Sequence, residues 1–423
     1  MSVETAPQAP VQPAGVDNRI VVDGATLTWR DLPELTLPGP AAALAHSARH
    51  ALAAARHHAV HGTELLLSTA SRVDAAMRAE LRDAGFAVTE LGDDRADGDA
   101  TAPAPRAAEP GRLWLLTSGS TGRPKRVGHT LESLTTVRGQ QPARTWLCPY
   151  APGTYAWWQV VTLSLTQPGQ HLVVVEPDQL DDWPALAAEH GVDAASGTPT
   201  FWRRALHRDP AGLARVPLRQ LTLGGEPVDQ TILDRLRELF PAARISWIYA
   251  SSEVGAAIVV HDGRAGFPVE WLDRAAPGRP TLGVRDGELV ITSPYHGVGL
   301  DGPVRTGDRA QVSGDRVLIT GRLDADEINV GGSKVSAGVV RDVLTAHPQV
   351  AWARVAGRRA PLLGHMVVAE VVPVGSATAP AEAGLDEATL VRWCADQLPE
   401  YAVPRRIRVL TEIPVKETLK SDV

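Results

Sequence analysis

Cysteine is scarce in this chain. Only Cys148 and Cys394 occur among 423 residues, far apart in sequence. Two such residues make neither a disulfide framework nor a metal-ligand spacing, and both read as packing residues in a reducing cytoplasm. Long apolar runs are missing as well. None approaches the ~20 residues that cross a bilayer, so no membrane partner is expected. Positive charge is not in excess, since 42 Lys and Arg face 49 Asp and Glu for a formal net charge of −7. A nucleic-acid partner is therefore not expected. The interspersed arginines read as a solvated surface. Met1 to Gly15 lacks the basic start and apolar centre of a signal peptide; rich in Pro, Ala and Gln, residues 1–16 read as a disordered leader. No internal repeat is visible.

What remains is an ordinary globular composition, 44% hydrophobic and 22% charged, in a chain long enough for two or three domains. Asn18 to Leu32 alternates around Asp23-Gly24, a hairpin signal leading into a helix. Pro40 to His61 is alanine-rich and predicts a helix. Glu64 to Thr69, Arg72 to Ala84 and Phe86 to Leu91 predict strand, helix and strand. His129 to Gly139 predicts a helix after the Lys125 region. Further on, strands near Trp146, His171, Ala194, Gln220 and Ala243 alternate with helices over 156–165, 183–190, 201–207 and 229–240. That order predicts a mostly parallel α/β sheet. From Trp271 the pattern changes to short antiparallel strands, and past Gly321 it restarts as a small α/β unit. The fold class is thus α/β: a large N-terminal domain of mostly parallel α/β subdomains with a small antiparallel β-rich part, then a small C-terminal α/β domain.

One stretch stands out. An apolar run ending at Leu116 leads into Thr117-Ser118-Gly119-Ser120-Thr121-Gly122-Arg123-Pro124-Lys125. Glycines let a backbone fold closely around an anion. Successive N–H groups can form a nest for phosphate oxygens, hydroxyls add donors, and Lys125 adds charge. A polar surface turn is the plain alternative. The ATPase phosphate loop needs four residues between glycine and Gly-Lys-Ser/Thr; here two residues separate Gly119 from Gly122 and Arg126 follows Lys125, so that pattern fails.

The stretch resembles the phosphate loop of the adenylate-forming superfamily, which holds acyl- and aryl-CoA synthetases, carrier-protein-loading adenylation domains and luciferases. Five later stretches resemble the same family in order. Leu223-Gly224-Gly225-Glu226-Pro227 ends a strand and, by the resemblance, contributes Gly224, Gly225 and Glu226 to the nucleotide and acyl pocket. Tyr249-Ala250-Ser251-Ser252-Glu253 implies Tyr249 on adenine, Ser252 on the α-phosphate and Glu253 on Mg²⁺. Arg305-Thr306-Gly307-Asp308 implies Asp308 on the ribose hydroxyls, although Val304 stands where an aromatic is usual. Gly321-Arg322-Leu323-Asp324 implies Arg322 at the nucleotide and Asp324 as the hinge of a domain rotation, with Gly331 and Gly332 then lining a pantetheine tunnel. The spacing from Arg322 to Ile328 is one residue longer than the family's. Near the C-terminus Lys420 matches the lysine that bonds carboxylate and α-phosphate; Leu419 replaces the glycine that usually precedes it.

The resemblance implies ATP-dependent activation of a small carboxylic acid, with Mg²⁺, release of pyrophosphate, and transfer to the thiol of CoA or of a carrier protein's phosphopantetheine. Lys420 and Lys125 are the implied catalytic lysines. The implied acyl pocket includes Tyr150, Trp157, Trp158 and Gly197, though two tryptophans in an apolar helix also suit a core. Tyr155 to Gln159 lacks the aspartate of amino-acid-activating relatives, which favours an aryl or aliphatic acid. The implied division is a large domain over 17–323, with a shortened N-terminal part like that of short acid-CoA ligases, and a small domain over 324–423. An adenylating ligase with an amine acceptor and a non-catalytic nucleotide-binding homologue are the alternatives.

Overall fold

The computed structural model describes residues 13–92, 106–117, 124–137, 139–300, 302–323, 327–360, 364–375, 385–416 and 419–421. Ser118, Gly119, Ser120, Thr121, Gly122 and Asp324 lie outside them, as does most of the expected leader. The chain forms two compact units: residues 1–177 with 297–299, and residues 178–296 with 300–423.

In the first unit, β1 (Arg19–Val22) and β2 (Ala25–Thr28) make the expected hairpin. Its turn needs positive φ, 51° at Asp23 and 68° at Gly24. A 3-10 turn over Trp29–Asp31 follows instead of a full helix. Val16, assigned from sequence to the leader, is buried, and the Gly15 N–H donates to Leu165 O at 2.9 Å.

Pro40 to His61 divides into β3 (Ala41–Ala45) and α1 (Ala48–His61), where the sequence predicts one helix. Alanine favours helix in isolation. Here β3 lies between two parallel neighbours, β4 (Leu65–Thr69) and β5 (Ala87–Leu91), and all five of its residues are buried. Tertiary pairing overrides local propensity, and small side chains suit a strand covered on both faces. Ser47 caps α1 and Gly62, at φ 65°, ends it. α2 (Ala75–Asp83) is capped by Asp74.

The sheet continues through β6 (Arg112–Thr117), parallel to β4, and β7 (Lys125–Thr130), antiparallel to β6. The helix expected from His129 shrinks to α3 (Leu131–Leu134), because residues up to Thr130 pair with β6. Beyond it come β8 (Arg144–Cys148), α4 (Tyr155–Thr166) and β9 (Gln170–Val174), with β8 and β1 both parallel to β9.

The second unit opens with α5 (Trp183–Glu189), β10 (Ala194–Gly197), α6 (Pro199–Arg208), α7 (Pro210–Arg215), β11 (Gln220–Gly224), α8 (Gln230–Leu239) and β12 (Arg244–Ser251). β10, β11 and β12 run parallel, so their C-terminal ends share an edge. β13 (Gly255–Val260) returns antiparallel to β12. An antiparallel sheet follows: β14 (Phe267–Pro268), β15 (Thr281–Arg285), β16 (Glu288–Thr292), β17 (Val304–Ser313) and β18 (Arg316–Arg322), in spatial order β14-β18-β17-β16-β15.

The last part contains β19 (Glu327–Val330), β20 (Ser333–Ser336), α9 (Ala337–Thr345), β21 (Val350–Ala360), β22 (Gly364–Pro373), α10 (Glu387–Ala395) and β23 (Arg406–Val409). Both helices pack on this sheet around Val340, Leu344, Val371 and Leu390. Cys394 belongs to that core, and Cys148 is buried in the first unit. Burial pushes their thiols up to about 11 and about 12, so both are inert packing residues. No described helix is long and apolar enough to cross a membrane.

Candidate active site

The ends of the phosphate stretch face each other. Thr117 and Lys125 are register partners across β6 and β7, and the Thr117 hydroxyl lies 3.4 Å from the Lys125 carbonyl. Strand pairing therefore brackets the seven positions between them and leaves Lys125 exposed. Trp157 and Trp158 are wholly buried on α4 and meet edge to face at 5.0 Å. As they stand they are core. Tyr150, in the turn after β8, is 8% exposed.

In the second unit the predicted residues gather at the C-terminal ends of β10, β11 and β12, where parallel α/β sheets bind ligands. Gly197 ends β10; a Cβ there would sit 2.2 Å from the Phe201 ring. Gly224 ends β11, and Gly225 follows at φ 83°. A Cβ on Gly225 would lie 3.3 Å from Lys420 Cε and 3.7 Å from its Nζ. This glycine thus admits the lysine that approaches from 195 positions later in the chain. Lys420 is exposed, yet protein atoms crowded around its ammonium group lower its pKa. The Glu226 and Asp308 carboxylates pull it back up, and Arg322 adds to the lowering.

Tyr249 sits near the end of β12. Its hydroxyl donates to Asp308 Oδ2 on β17 at 2.5 Å. Arg322 on β18, the register partner of Asp308, donates to Oδ1 at 3.2 Å and to Thr306 O at 3.0 Å. Burial raises the Asp308 pKa, against the hydrogen bonds from Tyr249 and Arg322. Burial, joined by the Asp308 charge, drives the Tyr249 phenol above its ordinary value. The phenol therefore stays a donor. Ser252 and Glu253 occupy the turn after β12, where the Glu253 N–H donates to Ser251 Oγ at 3.3 Å.

Glu288 escapes sequence reasoning. It accepts from Arg305 Nε at 2.6 Å and from the Gly307 N–H at 2.8 Å, so it props the turn in β17 that presents Asp308. A lone glutamate after a glycine turn carries no signal of this. Gly331 and Gly332 form the β19–β20 turn at φ 58° and 90°.

A described carboxylate fits Mg²⁺. Glu253 is half-buried at the site, and Mg²⁺ is usually held by one or two carboxylates plus substrate phosphates. Among the described residues no group of three His, Cys, Asp or Glu forms an all-protein cage.

Comparisons with known proteins show the family. The AMP-binding enzyme family matches residues 17–295, and the AMP-binding enzyme C-terminal domain matches residues 340–420. A dimodular nonribosomal peptide synthase from Bacillus subtilis is 26% identical over 359 residues, which is 73% of this chain and 14% of that protein. The chain spans less than two thirds of the length of the curated relatives it matches first. The amide bond synthetase McbA from Marinactinospora thermotolerans has a similar fold, with TM-score 0.68 and 22% identity over 96% of each chain. So does the o-succinylbenzoate CoA synthetase from Bacillus subtilis in complex with its acyl-adenylate, with TM-score 0.63 and 18% identity over 97% of each chain. A family match over more than half the chain, joined to the glycine, carboxylate and lysine positions above, makes this chain a member of the AMP-binding enzyme family, the adenylate-forming ligases.

Proposed function

We propose that the chain activates an aryl or aliphatic carboxylic acid with ATP and passes the acyl group to a thiol, that of CoA or of a carrier protein's phosphopantetheine. A carboxylate oxygen attacks the α-phosphorus. The bond from that phosphorus to the β-phosphate bridging oxygen breaks, and pyrophosphate leaves with the electron pair. The thiol sulfur then bonds the acyl carbon, its proton is lost, and AMP leaves. The first step needs alignment and charge neutralisation more than a general base.

The observation that carries this reading is Lys420 held over Gly225, with Glu226 and Asp308 as its electrostatic neighbours. Lys420 neutralises charge between the carboxylate and the α-phosphate. Tyr249 packs on adenine, Asp308 takes the ribose hydroxyls with Arg322 beside it, and Ser252 donates to the α-phosphate. Thr117 to Gly122 and Lys125 support the departing pyrophosphate. Glu253 would hold Mg²⁺, which would supply further charge neutralisation. Gly224 and Gly197, at the ends of β11 and β10, belong to the acyl pocket. The functional domains run over 17–323 and 324–423, hinged at Asp324, and Gly331 and Gly332 line the thiol's path.

The test is pyrophosphate release over a panel of aryl, aliphatic and amino acids, with and without CoA. Release with an aryl or aliphatic acid, and thioester with CoA, is the expected result. No release with any acid favours a non-catalytic homologue. An amine acceptor is the second reading, favoured by the fold shared with an amide bond synthetase; adenylate formation that CoA does not discharge but an added amine does selects it.

A further inference from the structure

The Glu226 carboxylate is spent on protein. Its Oε2 accepts the Thr200 N–H at 2.9 Å. Its Oε1 accepts the Ser421 N–H, also at 2.9 Å. The hydroxyls of Thr200 and Ser421 lie 3.0 and 3.2 Å from Oε1 and 3.1 Å from each other. Two backbone N–H groups and two hydroxyls thus converge on one carboxylate, which offers about four acceptor positions. Little of that capacity is left for a nucleotide.

On the other side of Lys420, the Thr198 hydroxyl donates to the Leu419 carbonyl. The same hydroxyl oxygen accepts the Phe201 N–H at 3.1 Å and so caps α6. One helix N-terminus, through Thr198 and Thr200, therefore touches the chain both before and after the lysine. The Lys420 carbonyl is held too, accepting the Lys416 N–H at 2.9 Å.

We propose that Glu226 is a positioning residue, which together with Thr198 and Thr200 fastens Leu419 and Ser421 and thereby aims the Lys420 side chain. This inference rests on the reading of Lys420 as the group at the reacting carboxylate. Lysine is long and flexible, and ordering it costs conformational entropy. Fixing the backbone on both sides removes the part of that disorder that comes from the tail. The hydrogen bonds from Ser421 to Glu226 are charge-assisted, the stronger kind.

The test joins hydrogen exchange with kinetics. In the ligand-free protein, Glu226→Ala speeds amide exchange at Ser421 on the order of tenfold or more, because a fastened amide exchanges only on opening. Unchanged exchange overturns the proposal. In acid-dependent ATP–pyrophosphate exchange, Glu226→Ala lowers kcat on the order of tenfold while the KM for ATP stays put, and Glu226→Gln recovers part of the loss by keeping one acceptor oxygen. Added to Lys420→Ala, Glu226→Ala causes no further loss. Multiplying losses, or a rise in KM for ATP alone, would put Glu226 on the nucleotide and overturn the proposal. Ser421→Ala, which keeps the backbone N–H bond to Glu226 and deletes only the hydroxyl contact, lowers kcat in the same direction by less and guards against a folding defect at 226. If the wild-type protein exchanges pyrophosphate with no acid, the functional reading fails, and hydrogen exchange at Ser421 still decides the fastening.

Discussion

Tyr249 and Asp308, 59 positions apart, meet through a hydrogen bond from the phenol to Oδ2 at 2.5 Å. The contact ties the end of a parallel strand, β12, to β17 of the antiparallel sheet. Arg322 donates to the other carboxylate oxygen, Oδ1, at 3.2 Å. Tyr249→Phe keeps the ring and deletes the donor. The expected result is a rise in KM for ATP of roughly fivefold, the worth of one hydrogen bond of about 1 kcal/mol, with kcat little changed. A lower kcat at unaltered KM would count against Asp308 as a nucleotide-binding group.

Lys420→Ala separates binding from chemistry. ATP binding, measured by calorimetry, stays within a few-fold of wild type, because Asp308, Tyr249 and Arg322 remain. Acid-dependent pyrophosphate exchange falls by ~10²-fold or more, the scale seen when a preorganised charge-stabilising group is removed. Near-normal exchange would remove Lys420 from the reacting centre.

Leu419 occupies the left-handed region at φ 61° and is 2% exposed. The backbone there suits glycine, and the burial suits leucine. Comparing Leu419→Gly with Leu419→Ala isolates the backbone component, since both lose the buried side chain beyond Cβ. Glycine avoids a left-handed cost of about 1 kcal/mol. The expected order of pyrophosphate-exchange rates is therefore wild type, then glycine, then alanine, because burying a leucine contributes roughly 2 kcal/mol, more than the strain it tolerates. Alanine at or above glycine would mean that the tail does not hold this conformation in solution.

His58, 2% exposed on α1, donates from Nδ1 to the Thr63 carbonyl at 2.6 Å. Burial lowers its pKa from 6.5 to about 4. The folded state thus binds the proton less readily than the unfolded chain. The associated stability is present above pH 6.5 and is lost as pH falls through about 4, roughly 3 kcal/mol in all. Urea unfolding between pH 7 and pH 4 should show this loss, and His58→Gln should flatten that part of the curve. An equal slope in both proteins would assign the acid sensitivity elsewhere.

The family and most of the elements were legible in the sequence because they rest on local signals. The Asp23-Gly24 hairpin, the capped helices after Asp74 and Asp229, and the strand end at Gly224 all lie where short-range chemistry puts them, and β12 runs two residues past the expected end at Tyr249. Misreadings fell where distant pairing beats propensity. Ala41 to Ala45 is a strand because β4 and β5 flank it, and His129 is a strand residue because β6 pairs with it. Glu288 carried no signal, since its partners, Arg305 and Gly307, lie across a sheet.

The phosphate stretch, the two-glycine turn, the site carboxylates and Lys420 are fixed by residue type and order, and those alone identify an adenylate-forming ligase. Which of them work together is a matter of three-dimensional approach. Only the folded chain brings Ser421 to Glu226, Lys420 over Gly225 and Tyr249 to Asp308. Hydrogen bonds act over about 3 Å regardless of separation along the chain. A sequence motif therefore names a donor or an acceptor, and tertiary packing selects its partner.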